Sequence, residues 1–353
     1  VPVLRLTPPL LATLLLACAA PPAPEEEEHT WDSSPRPVRD AEGASVELAN
    51  DRDWLDHALG MLRSAEDHVE VAQFLIVPGG RVDRVLDALE AAADRGVACR
   101  VIADEASEAT LDGLARLEAA GCETRLDSPA RTTHLKLLIA DDQALLGSHN
   151  LTDPALGENV EASVRLAGPA VSGPVLAAFE EVWAHSEGPV AVTADPVDGV
   201  QVVTHQEVLT SLLDCLDGAQ EQVAAMIYAV AWDPSYPGSE VDQLLTAVEA
   251  AHVRGVSVRM VVDGSPWSIE ERIDDETLER LGAAGVPARR SPGQKVHHAK
   301  VLRCDDRVIV GDANWSYSGL ALYSGVSVVL EAPEVVEGYG GWLDAIWEGS
   351  QVP

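Results

Sequence analysis

The chain has 353 residues, 46% of them hydrophobic, which is enough for two domains of ordinary size, each burying its own core. Its formal net charge of -34 gives a surface that repels polyanions over a Debye length of ~8 Å at physiological salt. Nucleic acid is therefore a poor partner for most of this surface.

The chain opens VPVLRLTPPLLATLLLACAAPPAPEEEE, with one arginine and an apolar run from Leu10 to Ala17. That run is short of the ~20 residues needed to span a bilayer, and it suits the core of a signal peptide. Leu15-Leu16-Ala17-Cys18 resembles a bacterial lipoprotein signal, with Cys18 as the lipidated residue; plain secretory cleavage near Ala20 is the alternative. Residues 1–20 are thus expected to be a signal peptide and residues 21–45, rich in Pro and Glu, a solvated tether. The expected location is outside the cytoplasm, as a cell-envelope lipoprotein or a secreted protein.

Beyond the tether the chain is one unit written twice. RGVACRVIAD (95–104) matches RGVSVRMVVD (254–263) at an offset of 159, and LARLEAAGCETR (114–125) matches LERLGAAGVPAR (278–289) at 164. Upstream, EDHVEVAQF and QEQVAAMIY align at 154, and Trp183 and Trp347 keep the offset of 164. The second copy carries extra residues around WDPSYPG (232–238) and GSPWSIEERI (264–273).

Each copy predicts the same elements in order. A helix (near 51–65 and 206–219) precedes an apolar strand, VEVAQFLIV or VAAMIYAVA. An amphipathic helix follows, VDRVLDALEAAADRG or VDQLLTAVEAAHVRG, with Gly where it must stop. Next come a strand (CRVIAD, VRMVVD), a helix ending in AAG, a short strand and a pair of further strands (HLKLLIAD with LLGS, HAKVLRCD with VIVGD). A last strand and a Trp-bearing helix close the unit. The fold class is α/β: two tandem units, residues 46–190 and 197–350, each a mixed sheet flanked by helices, packed as pseudo-two-fold halves. Setting Cys18 aside leaves Cys99, Cys122, Cys215 and Cys304. Cys99 and Cys122, on or beside consecutive strands, are the better placed pair for a disulfide, with buried free thiols as the alternative.

Only three of the 24 basic residues are lysines, and two of these, Lys136 and Lys300, stand two residues after a histidine. Side chains two apart on a strand share a face, so His134 pairs with Lys136 and His298 with Lys300, while Leu135, Leu137, Ala299 and Val301 face the other way. Two ionisable groups on a buried face are costly unless paired or used. A lysine presents a compact, rotatable charge to a phosphate oxygen where arginine would impose a planar fork. Each strand pair ends in a turn, Gly147-Ser148-His149-Asn150 and Gly311-Asp312-Ala313-Asn314, whose asparagine offers an uncharged amide donor. Bringing the halves together would converge two His, two Lys and two Asn on one phosphodiester, one imidazole attacking phosphorus and the other protonating the leaving oxygen.

H-x-K-x4-D followed by G-x-x-N, present twice in register, resembles the phospholipase D superfamily over roughly residues 47–350. The resemblance implies His134 as nucleophile forming a phosphohistidine, His298 as general acid and then base, and no metal or other cofactor. Asp141 and Asp305 complete the pattern and are counted with the site, with a structural role at the turn expected of them. Asn159 and Glu161 match the family's downstream N-x-E element, whose acid orients a catalytic histidine. The same offset in the second copy gives Tyr323 and Gly325, so that support is missing there. Asp312, where the first copy has Ser148, either substitutes for it or caps the turn.

His149 and His297 adjoin the motifs but fall off the alternating face. Trp232, Tyr236, Trp267 and Trp315 sit in or near loops around the expected pocket, where they either pack or touch a headgroup or bilayer interface. The carboxylate runs Glu25–Glu28 and Asp274–Glu276 read as solvated charge. The main expectation is a phospholipase D-type phosphodiesterase acting on a phospholipid, by hydrolysis or by transfer to an alcohol, at a membrane surface and as a monomer because both motifs lie in one chain. A cardiolipin-synthase-like phosphatidyltransferase is the near alternative, disfavoured because no membrane-spanning helices precede the first copy. A superfamily nuclease and a non-catalytic anchored interaction protein follow.

Overall fold

The duplicated sequence builds two sheets with one strand order. In a computed structural model, residues 38–39, 44–104, 107–127, 130–184, 190–192, 194–266, 271–293 and 295–350 are described. The signal sequence, Cys18, Glu25–Glu28 and Trp267 lie outside these residues. So does most of the tether, although strand β2 already begins at its last residue, Ser45.

The first lobe comprises β1 (Val38–Arg39), β2 (Ser45–Leu48), α1 (Asp53–Ser64), β3 (His68–Gln73), α2 (Arg81–Asp94), β4 (Ala98–Ala103), α3 (Glu108–Ala119), β5 (Glu123–Leu126), β6 (Lys136–Ala140), β7 (Gln143–Gly147), β8 (Ser163–Ala167) and α4 (Pro169–Trp183). The second comprises β9 (Val200–Thr204), α5 (Gln206–Gly218), β10 (Gln222–Ile227), α6 (Glu240–Val253), β11 (Ser257–Val262), α7 (Glu271–Ala283), β12 (Ala288–Arg290), β13 (Lys300–Cys304), β14 (Arg307–Gly311), β15 (Val326–Leu330) and α8 (Pro333–Gly349). Sheet order is β1-β2-β8-β7-β6-β3-β4-β5 in one lobe and β9-β15-β14-β13-β10-β11-β12 in the other. The three strands β3, β4, β5 run parallel, as do β10, β11, β12, and every other pairing is antiparallel. Both sheets are mixed, as the alternation of elements requires.

Local sequence explains where the helices start and stop. Ser107 and Ser239 cap α3 and α6 by accepting from Ala109 N and Asp242 N. Gly96 and Gly255 follow α2 and α6 at φ 89° and 91°, the left-handed conformation that ends a helix without a Cβ penalty. The apolar strand was expected to run on to Val77, but β3 ends at Gln73. The strands β2 and β9 at the head of each copy were not expected. Both are short and join their sheets through β8 and β15, more than a hundred residues away in sequence, so no local turn signal announces them.

The strand faces divide the core. Leu135, Leu137, Ala299 and Val301 point into one hydrophobic cluster shared by both sheets, α4 and α8. Leu138 and Ala140 face a second cluster under α1, α2 and α3, and Leu302 and Cys304 a third under α5, α6 and α7. Helices α4 and α8 therefore lie between the two sheets, and the inner faces of both lobes form a single core.

Two main-chain bridges fix how the lobes meet. Val160 pairs with His297 and Thr133 with Ser324, the same contact repeated by pseudo-symmetry. His298 N donates to Val160 O at 2.8 Å, and His134 N donates to Ser324 O at 2.9 Å. Each histidine's own backbone is thus anchored on the opposite lobe.

Candidate active site

The two H-x-K segments enter one buried region from opposite lobes. His134, Lys136, His298 and Lys300 are all buried, at 6%, 1%, 5% and 4% exposure. Within each motif the lysine Nζ donates to the histidine's own carbonyl, Lys136 to His134 O at 2.7 Å and Lys300 to His298 O. An aromatic ring backs each pair. Phe74 lies 5.0 Å from the His134 ring and 5.3 Å from Lys136 Nζ; Tyr228 lies 4.7 Å from the His298 ring and 4.9 Å from Lys300 Nζ.

Electrostatics tie the halves into one site. Burial drives the His134 pKa well below its usual value, and the charges of Lys136 and of Lys300 from the other lobe, together with His298, push it further the same way. Burial also brings His298 down to about 4, with Lys300 and Lys136 acting in the same direction and Glu161 opposing them. Both shifts favour the neutral imidazole. An anionic ligand that neutralises the lysines would raise both.

Glu161 reaches across the lobe boundary. It is fully buried and accepts from His298 Nδ1 at 3.0 Å, from Ser148 Oγ at 2.5 Å and from Asn159 Nδ2 at 3.2 Å. Burial alone would raise this carboxyl, but His298, His149 and Lys300 outweigh it and hold the group at about 2. Donating from Nδ1 leaves the lone pair of His298 Nε2 facing away from the acid.

Asn150 and Asn314 lie in the turns after β7 and β14, the first buried and the second half-buried. Gly147 and Gly311 admit these turns because a Cβ at either position would overlap the adjoining strand, at Ala162 O and Ser163 in one lobe and Ser327 in the other. Asp141 and Asp305 do not join the pocket. They stand at the opposite ends of β6 and β13, seven residues from the histidines and so ~23 Å away along an extended chain. With φ of 49° and 52°, each accepts from three consecutive amides, Glu66, Asp67 and His68 in one lobe and Gln220, Glu221 and Gln222 in the other. They hold the turns, the structural role expected of them, and counting them with the site residues is corrected on this geometry.

Several loop residues turn out to be packing. Trp315 is 1% exposed, and Trp232 stacks under Arg280 at 4.7 Å while donating to Asp242. Tyr236 is exposed. His149 is buried against Trp54 and held by Ser163 Oγ and Asp51 O. His297 bridges to Val160, with its ring nitrogen on Lys295 O. Asp274 is not solvated: it is buried and accepts from Val230 N, much as Thr110 accepts from Ile76 N in the first lobe.

Two buried acids were missed. Asp104 accepts from Thr133 N and Asp263 from His297 N, so each clamps the residue just before the histidine of an H-x-K motif. Their signal was available, since both close the repeated segments 95–104 and 254–263. Phe74 and Tyr228 were equally visible as the last residues of the segments aligned at 154.

Mirrored α/β lobes meeting at a doubled His/Lys/Asn site define an enzyme of the phospholipase D superfamily. The chain belongs to the family described as cardiolipin synthase, PLD-like domain, which it matches twice, over residues 59–183 and 212–347. Cardiolipin synthase A of Edwardsiella ictaluri (strain 93-146) is 25% identical over 346 residues, covering 85% of this chain and 68% of that protein. The Proteus mirabilis (strain HI4320) enzyme of the same name is 24% identical over 339 residues, covering 83% and 67%. The chain thus spans about two thirds of the length of these relatives. Phosphatidylserine synthase of Haemophilus influenzae Rd KW20 superposes with a TM-score of 0.69 at 11% identity, covering 90% of this chain and 89% of that one. Polyphosphate kinase of Porphyromonas gingivalis superposes at 0.59 and 14% identity, covering 85% of this chain and 50% of the other. These last two likenesses are of fold. Among the described residues no helix is long and apolar enough to cross a membrane.

Proposed function

We propose that the protein is a phosphatidyltransferase, moving a phosphatidyl group from one phospholipid to an alcohol through a phosphohistidine. The family and its relatives favour this cardiolipin-synthase-like reading over the broader phosphodiesterase expected from the motifs alone. The observation that carries it is the pair of cross-lobe bridges, which anchor both histidine main chains on opposite lobes and bring four ionisable side chains into one buried site.

In this reading His134 Nε2 attacks phosphorus, forming the P–N bond as the P–O bond to the leaving alcohol breaks. His298, whose proton Glu161 favours, delivers that proton to the departing oxygen. The acceptor alcohol then gives its proton to His298 and attacks phosphorus, releasing His134. The anionic phosphodiester offsets the charges of Lys136 and Lys300, so substrate binding raises His298 from its depressed value toward neutrality. Lys136, Lys300, Asn150 and Asn314 hold the non-bridging oxygens. Near-complete burial of both imidazoles limits the competing attack of water.

The test is product analysis after incubating the protein with phosphatidylglycerol vesicles, with and without added ethanol. The reading expects cardiolipin, and phosphatidylethanol when ethanol is present, in excess over phosphatidic acid. Phosphatidic acid as the dominant product would replace transfer by hydrolysis, and cleavage of single-stranded DNA alone would replace it by nuclease action. Export as a lipoprotein or secreted protein remains part of the proposal. Disulfides Cys99–Cys122 and Cys215–Cys304 support an oxidising compartment, and labelled palmitate on Cys18 in cells is its check.

A further inference from the structure

The second lobe lacks the glutamate that serves the first, yet the space for it is not empty. Positions 148 and 161 in the first lobe correspond to 312 and 325 in the second, by the offset of 164. Ser148 Oγ accepts from Ala162 N at 2.9 Å and touches Glu161, which in turn holds His298 Nδ1. In the second lobe Asp312 Oδ2 accepts from Val326 N at 3.0 Å, reproducing the Ser148 bond at the equivalent position. Its other oxygen, Oδ1, extends to Gly325: a Cβ built there would lie 2.6 Å from it. One aspartate thus fills the place of both a serine hydroxyl and a glutamate carboxylate.

Asp312 is 1% exposed, and its Oδ1 finds no hydrogen-bond partner among the described residues. The same is true of His134 Nδ1, the atom that corresponds by pseudo-symmetry to His298 Nδ1. The main chain of Asp312 lies close enough to the His134 ring to favour its protonated form. A buried carboxylate oxygen and a buried ring nitrogen thus each lack a partner at the positions where the other half of the site has a made bond, and the Asp312 main chain reaches the ring in question.

We propose that Asp312 is the positioning acid of His134: across the lobe boundary its carboxylate does for His134 Nδ1 what Glu161 does for His298 Nδ1. A serine–glutamate pair in one lobe and an aspartate–glycine pair in the other are two solutions to one requirement. The acid fixes the tautomer with hydrogen on Nδ1 and leaves Nε2 free to attack. Burial pushes the Asp312 carboxyl up to about 7, against the pull of Lys136 and of the Val326 amide, with Lys300 acting as Lys136 does. Bound phosphate, by occupying those lysines, adjusts this acid and His134 together. The inference deepens the phosphatidyltransferase reading and rests on it only in treating His134 as a reacting group.

The test is a swap. Asp312→Ser keeps a turn acceptor of the kind Ser148 provides but removes the carboxylate; Asp312→Ser with Gly325→Glu restores an acid from the first lobe's position. Turnover of phosphatidylglycerol and the imidazole 15N shifts of His134 are measured in both. Asp312→Ser is expected to lower kcat about 10²-fold with KM little changed and to lose the Nδ1–H tautomer. The double variant is expected to recover both. An Asp312→Ser protein with wild-type kcat and tautomer, or a double variant no better than the single one, overturns the assignment. The 15N readout needs no turnover, so a wild-type protein inactive on every phosphodiester would remove the functional reading while leaving this one decided.

Discussion

Glu161 is the residue on which the two lobes' chemistry meets, because one oxygen receives both Ser148 and His298. Its folded pKa of about 2 lies below the ordinary 4.5, so the stability it contributes is complete above 4.5 and is lost as pH falls through about 2. Glu161→Gln removes the group that raises His298. In the proposed mechanism His298 as general acid must carry a proton, so activity should fall as pH rises through its pKa, and the variant's alkaline limb should move to lower pH. A pH–kcat profile should show that shift with kcat lower by about 10²-fold; an unmoved limb would take Glu161 out of the proton transfer. His134→Ala and His298→Ala should each abolish turnover, and survival of activity in either variant would remove that histidine. At this scale the sequence was informative about His134, Lys136, His298 and Lys300, because each motif carries its own spacing. For Asp141 and Asp305 the expected role at the turn is the one the structure shows, and only their inclusion with the site fails, because they cap the far ends of the strands.

Elements are locked by contacts that recur in both lobes. Arg125 stacks on Trp183 at 4.0 Å and donates to its carbonyl, and Arg289 does the same to Trp347 at 3.9 Å, so each closing helix has a cation at its C-terminal carbonyl. The repeated tryptophans were visible in the sequence, while their arginine partners lay unremarked at the ends of the repeated segments 114–125 and 278–289. The disulfides differ between lobes. Cys99 joins β4 to the residue before β5, the pairing expected from adjacent strands, whereas Cys215 on α5 reaches Cys304 at the end of β13. That second bridge was not legible, because helix and strand are brought together only by the packed lobe. The sequence separations of 23 and 89 residues imply contributions of about 3 and about 4.5 kcal/mol in the chain-entropy description. Urea unfolding of Cys99→Ser/Cys122→Ser and of Cys215→Ser/Cys304→Ser should show the larger loss for the second pair; the reverse order would mean that native packing, not chain closure, sets these contributions.

At the scale of the molecule, the duplication announced two α/β units and their pseudo-two-fold relation, and both sheets follow the expected order from the first helix of each copy onward. What the sequence did not display is the means of joining. The bridging residues Val160 and Ser324 have no distinctive chemistry, and they act through main-chain bonds that any residue could make. The join is nevertheless what turns two half-sites into one, since Glu161 serves a histidine 137 residues away in the opposite lobe. Crystals of the protein soaked with vanadate test this most directly, because vanadate adopts the five-coordinate geometry of a phosphoryl group in transfer. We expect a single vanadate with His134 Nε2 as one apical ligand and His298 Nε2 within hydrogen-bonding distance of the opposite apical oxygen. Two separate anions, one on each histidine, would contradict the account.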